Sequence, residues 1–104
     1  MKFVKSTLLN GMIGSIDTSG EIKRYDLHLN SQTQFQLSSK GPSDLIGTIL
    51  DKTGAIIHTD DDSGKGYNFS LNQKLKAGDY FVEIRHCCAG TGSFKLKMQT
   101  SNFD

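Results

Sequence analysis

Large apolar side chains fall at every second position in one stretch of this chain after another. Tyr25, Leu27 and Leu29 alternate with Asp26 and His28, and Phe35 and Leu37 alternate with Gln34, Gln36 and Ser38. The same rhythm returns at Tyr67, Phe69 and Leu71, and at Tyr80, Val82 and Ile84. It returns once more at Phe94, Leu96 and Met98, with Lys95, Lys97 and Gln99 between them. Successive side chains of an extended strand point to opposite faces, so this period predicts strands with one face buried and one in water. The nearly continuous apolar run Leu45 to Leu50 predicts a strand covered on both faces. Phe3 to Leu9 and Met12 to Ile16 are further short extended segments, parted by Asn10-Gly11. Apolar residues at helical spacing are missing from any segment of useful length; Leu71 to Leu75 has room for one short turn.

Between these runs lie turn clusters: Asp17-Thr18-Ser19-Gly20, Gly41-Pro42, Asp51-Lys52-Thr53-Gly54, Asp60 to Gly66, Ala77-Gly78-Asp79 and Cys88 to Gly92. Gly54 is available for the positive φ that a tight connection needs. Short strands punctuated in this way predict an all-β fold, a jelly-roll-like antiparallel β-sandwich of about eight or nine strands. A chain of 104 residues is the length of one domain. Residues 1–104 are therefore read as a single sandwich, with 1–10 as an N-terminal strand or linker and 99–104 as a tail.

Charge and composition narrow the function. The formal net charge is +1, and Lys and Arg are scattered, so the sequence favours neither nucleic acid nor an anionic membrane surface. No apolar stretch is long enough to span a bilayer. Met1 to Asn10 lacks the long apolar segment of a secretory signal. The expectation is a cytoplasmic protein or a domain of a larger exported chain. Cys87 and Cys88 are neighbours whose side chains point to opposite faces of a strand, which suits two free thiols better than a disulfide.

Few residues suggest chemistry. Hard cations need several oxygen ligands from one loop, and in Asp60-Asp61-Asp62 the first and third can point the same way. Asp60 and Asp62 are thus the candidate metal ligands, with calcium the ion considered; a solvated turn competes. The helix–loop–helix calcium pattern is not met, because Lys65 stands where glycine belongs and Leu71 where the closing Glu belongs. His28, His58 and His86 lack metal-type spacing. His86 and Cys88 share a strand face without an orienting carboxylate or oxyanion donor, and no Gly-x-Ser-x-Gly elbow occurs. A non-enzymatic protein is expected. Phe81 is out of phase with the core side of its strand and Tyr67 adjoins the acidic loop, which makes these two the candidate ligand platform. Packing on the second face of the sheet is the competing role for Phe81.

The order of these pieces is similar to that of a known family. Gly14-Ser15-Ile16 is followed by Tyr25-Asp26-Leu27-His28-Leu29, then Asp51-Lys52-Thr53-Gly54 and the acidic loop Asp60-Asp61-Asp62-Ser63-Gly64. Next come Leu75-x-x-Gly78-x-Tyr80-Phe81-Val82-x-Ile84 and Gly90-Thr91-Gly92-Ser93-Phe94-x-Leu96. From Gly14 to Met98 the chain resembles the bacterial pre-peptidase C-terminal domain family. The resemblance implies a non-catalytic, jelly-roll-like accessory domain of secreted proteases and other exported proteins. It would bind a polymer, polysaccharide or protein, or assist export and maturation, as a monomer and without nucleic acid or membrane insertion. Some members hold calcium with N-terminal acidic residues and an aspartate just before the aromatic strand. Here Lys23 and Arg24 occupy that place and Met1 to Asn10 holds no acid, so a required cofactor is not expected. The alternative is a self-standing structural or regulatory subunit that meets a partner protein through a sheet face or edge.

Overall fold

The computed structural model describes residues 3–8, 10–41, 44–61, 68–87 and 90–102. Among them the chain forms nine strands and no helix: β1 (Phe3–Thr7), β2 (Ile13–Ile16), β3 (Ile22–Leu29), β4 (Thr33–Lys40), β5 (Leu45–Asp51), β6 (Ile56–Asp60), β7 (Ser70–Leu75), β8 (Gly78–His86) and β9 (Gly92–Asn102). They make two sheets packed as a sandwich, ordered β1-β3-β8-β5-β6 and β2-β9-β4-β7. Every pairing is antiparallel except β1 with β3, where Phe3 lies beside Ile22 and Thr7 beside Asp26. The parallel pair arises because β2 belongs to the other sheet. The chain leaves the first sheet after β1 and returns to it at β3, a crossover that parallel neighbours require.

The alternating residues meet between the sheets. Phe35, Leu37, Ile49, Phe69, Leu71, Val82, Ile84 and Leu96 are at most 1% exposed. Tyr25, Leu27, Leu29 and Phe94 are buried with them, and Tyr80 and Met98 pack partly covered against this core. Leu8, Ile16, Leu45 and Leu75 complete it. Each large side chain so buried stabilises the fold by roughly 1.5–3 kcal/mol before chain entropy is counted. Gly47 lets β5 take part: a Cβ there would lie 2.6 Å from Cδ1 of Phe69, so the ring rests on bare backbone. On the outer side of β5, Leu50 and Thr48 are also buried, while Ile46 is half-buried.

Two elements differ from the sequence reading. Leu71 to Leu75 makes no helical turn; it lies within β7, with Leu71 opposite Leu37 and Leu75 opposite Thr33. The pattern is two-residue after all, with Leu71, Gln73 and Leu75 on one side, and the polar Gln73 disguised it. Residues 99–102, read as tail, continue β9, with Gln99 opposite Gln36 and Asn102 opposite Thr33. Their side chains are polar, but β4 supplies a full length of backbone for them to bond. Between β5 and β6 the register slips at Ile49/Leu50, a bulge that leaves Ile57 on the core and Ile56 66% exposed.

Candidate functional site

The outer face of the first sheet carries Phe81. Cross-strand pairing sets Asp26, Phe81, Leu50 and Ile56 in one row across β3, β8, β5 and β6. In the neighbouring row Arg24 stands opposite Glu83. Arg24 donates to Oε2 of Glu83 from Nε at 2.8 Å and from Nη2 at 2.5 Å. Its guanidinium also lies 4.9 Å above the centroid of the Phe81 ring. Phe81 is half-buried under a cation that is itself paired with a carboxylate.

Of the other sequence candidates, Tyr67 and Asp62 lie outside the described residues. Asp60 ends β6, and its Oδ2 accepts the backbone N–H of Ser70 at 2.8 Å, joining β6 to the start of β7. Among the described residues no three His, Cys, Asp or Glu side chains converge on a point where a metal ion would sit.

The titratable groups that resemble reactive ones are already engaged. His28 meets Oδ1 of Asp79 at 2.5 Å through Nδ1 and Oδ1 of Asn30 at 2.9 Å through Nε2. The bond to Asp79 is the main reason its pKa is raised above the ordinary 6.5. An imidazole with both ring nitrogens engaged by side-chain oxygens has no nitrogen directed at a substrate. Cys87 donates its thiol proton to Oδ2 of Asp44 at 3.0 Å. An acidic neighbour is the reverse of the electropositive setting of a nucleophilic cysteine. Cys88, the other half of the His86 pairing, is outside the described residues. His28 also borders a concavity at the open end of the sandwich, with Leu29, Ser31, Met98, Thr100 and Asn102.

The outer face of the second sheet is different in kind. β9, β4 and β7 lie side by side, and their outward positions form a grid. Lys95 stands opposite Lys40, and Lys97 opposite Ser38, which in turn faces Ser70. The next row is Gln99, Gln36 and Asn72, and the last is Ser101, Gln34 and Lys74. Nε2 of Gln34 donates to Oδ1 of Asn72 at 2.5 Å, so the amides bond across strands. Three shallow depressions tile this grid. One is bounded by Lys40, Lys95 and Lys97 with Asn10 and Gly11; the second sets Lys97 beside Gln36, Ser38, Ser70 and Gln99, and the third is lined by amide and hydroxyl residues. β2, β4, β7 and β9 contain four lysines and not one Asp or Glu. The strands of the first sheet carry five carboxylates against four Lys and Arg residues. The outward residues of β9 are evident from the sequence. Their alignment with β4 and β7 is not, because the pairing joins segments far apart in the chain.

No known protein family matches the sequence, and no curated protein does. Solved structures do share the fold. A periplasmic lysozyme inhibitor of g-type lysozyme, PliG from Aeromonas hydrophila, superposes with a TM-score of 0.76 at 13% identity, over 96% of this chain and 98% of that one. The pre-peptidase C-terminal domain of collagenase from Bacillus anthracis gives 0.62 at 8% identity, over 95% and 98%. A family 35 carbohydrate-binding module from an environmental isolate gives 0.52 at 16%, over 93% and 82%. At such identities the likeness is one of fold.

Proposed function

We propose that this chain is a non-catalytic binding domain that holds a polymeric ligand on the outer face of its second sheet. The observation that carries this reading is the grid on β9, β4 and β7. It is a broad polar surface of amides, hydroxyls and lysines, with depressions along it. Such side chains both donate and accept, which suits a ligand rich in hydroxyl and carbonyl groups. An accessory role like that of the pre-peptidase C-terminal domains is favoured by the order of motifs from Gly14 to Met98 and by the shared fold. An exported setting goes with that role and is supported by the periplasmic PliG fold relative. No described helix is long and apolar enough to cross a membrane. The engaged states of His28 and Cys87 support the absence of catalysis. Binding without calcium is favoured by the engagement of Oδ2 of Asp60 with the Ser70 amide.

The test is retention on insoluble polysaccharides and on collagen. The chain is expected to bind at least one of them, and Gln36→Ala with Gln99→Ala is expected to weaken that binding while the melting temperature holds. Phe81→Ala separates the two faces: if it abolishes retention and the glutamine changes do not, the platform lies on the first sheet instead. Retention by no polymer overturns the reading.

A second reading is a unit that binds a partner protein, as PliG does a lysozyme. It is favoured by the near end-to-end correspondence with PliG, 96% of one chain on 98% of the other. Added to a g-type lysozyme, the chain would then inhibit it stoichiometrically; undiminished lysis at excess chain removes this reading.

A further inference from the structure

We propose that the outer face of the second sheet selects an anionic polysaccharide whose sugar units carry carboxylates, a polyuronate. In this assignment Lys40, Lys95 and Lys97 take the carboxylates and the Gln, Asn and Ser rows take the hydroxyls. The inference rests on the polymer-binding reading of that face and goes beyond it by naming the ligand chemistry.

The first support is an arrangement that costs stability in the free protein. Lys40 and Lys95 are direct cross-strand partners, and Lys97 is the next outward residue on β9. Like charges placed directly opposite on a sheet destabilise it. All three are exposed, and none forms an ion pair with a described carboxylate. On the other sheet two cations are paired: Arg24 with Glu83, and Lys23 with Glu21 of the preceding turn at 2.9 Å. Edge protection does not account for Lys95, nor for setting Lys40 directly against it. Lysine commonly blunts an exposed sheet edge, but β4 and β9 are the inner strands of their sheet, and Lys95 itself is flanked by Lys40 and Ile13; Lys40 and Lys97 lie just past the ends of the β7 and β2 ladders. Only Lys74 stands on an edge strand. An anion laid across Lys40, Lys95 and Lys97 relieves the repulsion, and the depression they bound with Asn10 and Gly11 gives it a seat.

The second support concerns what the anion is attached to. From the Lys95/Lys40 row to the Ser101/Gln34 row the grid spans three two-residue steps, about 20 Å at ~3.3 Å per residue. Beyond the lysine end it offers amides and hydroxyls, with a further lysine, Lys74, at the margin of the last row, so the ligand continues as a chain of hydrogen-bonding groups. No outward residue of β4, β7 or β9 is aromatic. Single-stranded nucleic acid needs aromatic platforms for its bases, and duplex readout needs an element that enters a groove; a flat sheet face offers neither. A protein partner would bring apolar anchors to the centre of its interface. Here the centre is Gln36 among Gln99, Asn72 and Ser38, and among the described residues of this face the exposed large apolar one, Ile13, sits on β2 at the margin. A hydroxyl-rich chain with a carboxylate on each unit satisfies both halves of the grid.

Affinity electrophoresis of the full chain through gels holding polygalacturonate, or the same polymer with its carboxylates methyl-esterified, tests this directly. Retardation is expected in the acid form, weakening as salt is raised, and is expected to be absent in the ester. Lys40→Gln/Lys95→Gln/Lys97→Gln is expected to weaken binding about tenfold or more, while Lys52→Gln, in the β5–β6 turn, leaves it unchanged. Circular-dichroism melting checks the fold, and the triple variant is expected to melt at or above the parent temperature because the lysine repulsion is gone. Equal retention in acid and ester gels overturns the inference, as does unaltered binding by the triple variant. Tighter binding to duplex DNA or an acidic peptide than to polygalacturonate also overturns it. If neutral polysaccharide or collagen retains the chain and polygalacturonate does not, the polymer-binding reading survives and this inference alone fails. If nothing retains it, both fail.

Discussion

Gly47 and Phe69 show how tightly single residues are matched in this core. The ring occupies the space where any other residue at 47 would place a Cβ, at 2.6 Å from Cδ1. Gly47→Ala should therefore destabilise by about 1–3 kcal/mol through overpacking, and Phe69→Ala by about 3–5 kcal/mol through the cavity it leaves. Urea midpoints measure both, and Gly47→Ala should cost less in a Phe69→Leu background, where the ring is gone. His28 provides a test on the surface. Its pKa is raised above 6.5 chiefly by Asp79, so the pair's contribution is complete below that value and fades as pH climbs through the folded-state pKa. NMR titration should place His28 above 6.5 in the parent and lower in Asp79→Asn. The urea-midpoint gap between the two proteins should be wider near about pH 5 than near about pH 9.

Among the elements, the hairpin between β5 and β6 is the most self-contained. One oxygen of Asp51, Oδ1, accepts from Thr53 N at 2.9 Å, Thr53 Oγ1 at 2.5 Å and Ala55 N at 3.0 Å, while Gly54 takes φ of +89°. These bonds, led by the Thr53 hydroxyl, hold the Asp51 pKa below its ordinary 3.8. Asp51→Ala should lower the melting temperature at neutral pH. The deficit should shrink in acid, as pH falls from about the ordinary carboxylate value through the depressed one, because the parent then loses the same carboxylate. At the start of β8 the Tyr80 hydroxyl donates to the carbonyl of Lys76 at 2.7 Å, tying the strand to the turn before it. Tyr80→Phe should cost about 1 kcal/mol or less in a denaturant titration. The Asp-x-x-Gly turn was legible in the sequence because everything it needs lies within five residues. The second half of β7, beyond Leu71, and the end of β9 were not legible, because Gln73 and the run from Gln99 to Asn102 are polar. What makes them strands is the backbone of β4, supplied from elsewhere in the chain.

For the molecule as a whole, period two was enough to announce a sandwich and nearly all of its inner residues, since each strand signals its own buried side. The sheet order could not be had in this way, and the candidate site depends on it. Lys40 and Lys95 look unrelated until β4 and β9 are laid together. The pairings that define the sheets, β3 with β8 and β4 with β9, join distant segments, so loops must close before contacts repay them. Folding should accordingly take milliseconds to seconds, which stopped-flow circular dichroism will show. The confinement of strand carboxylates to the first sheet also has an effect before any contact is made. The two outer surfaces stand back to back across sheets about 10 Å apart, one cationic and the other close to neutral. The domain is thus an electric dipole across its own thickness. Within roughly a Debye length of a polyanionic matrix, ~8 Å at physiological salt, the field exerts a torque that turns the lysines downward, like a tile settling onto mortar. Such a domain arrives already facing the right way, and Ile56 and the Arg24–Glu83 pair are left looking outward.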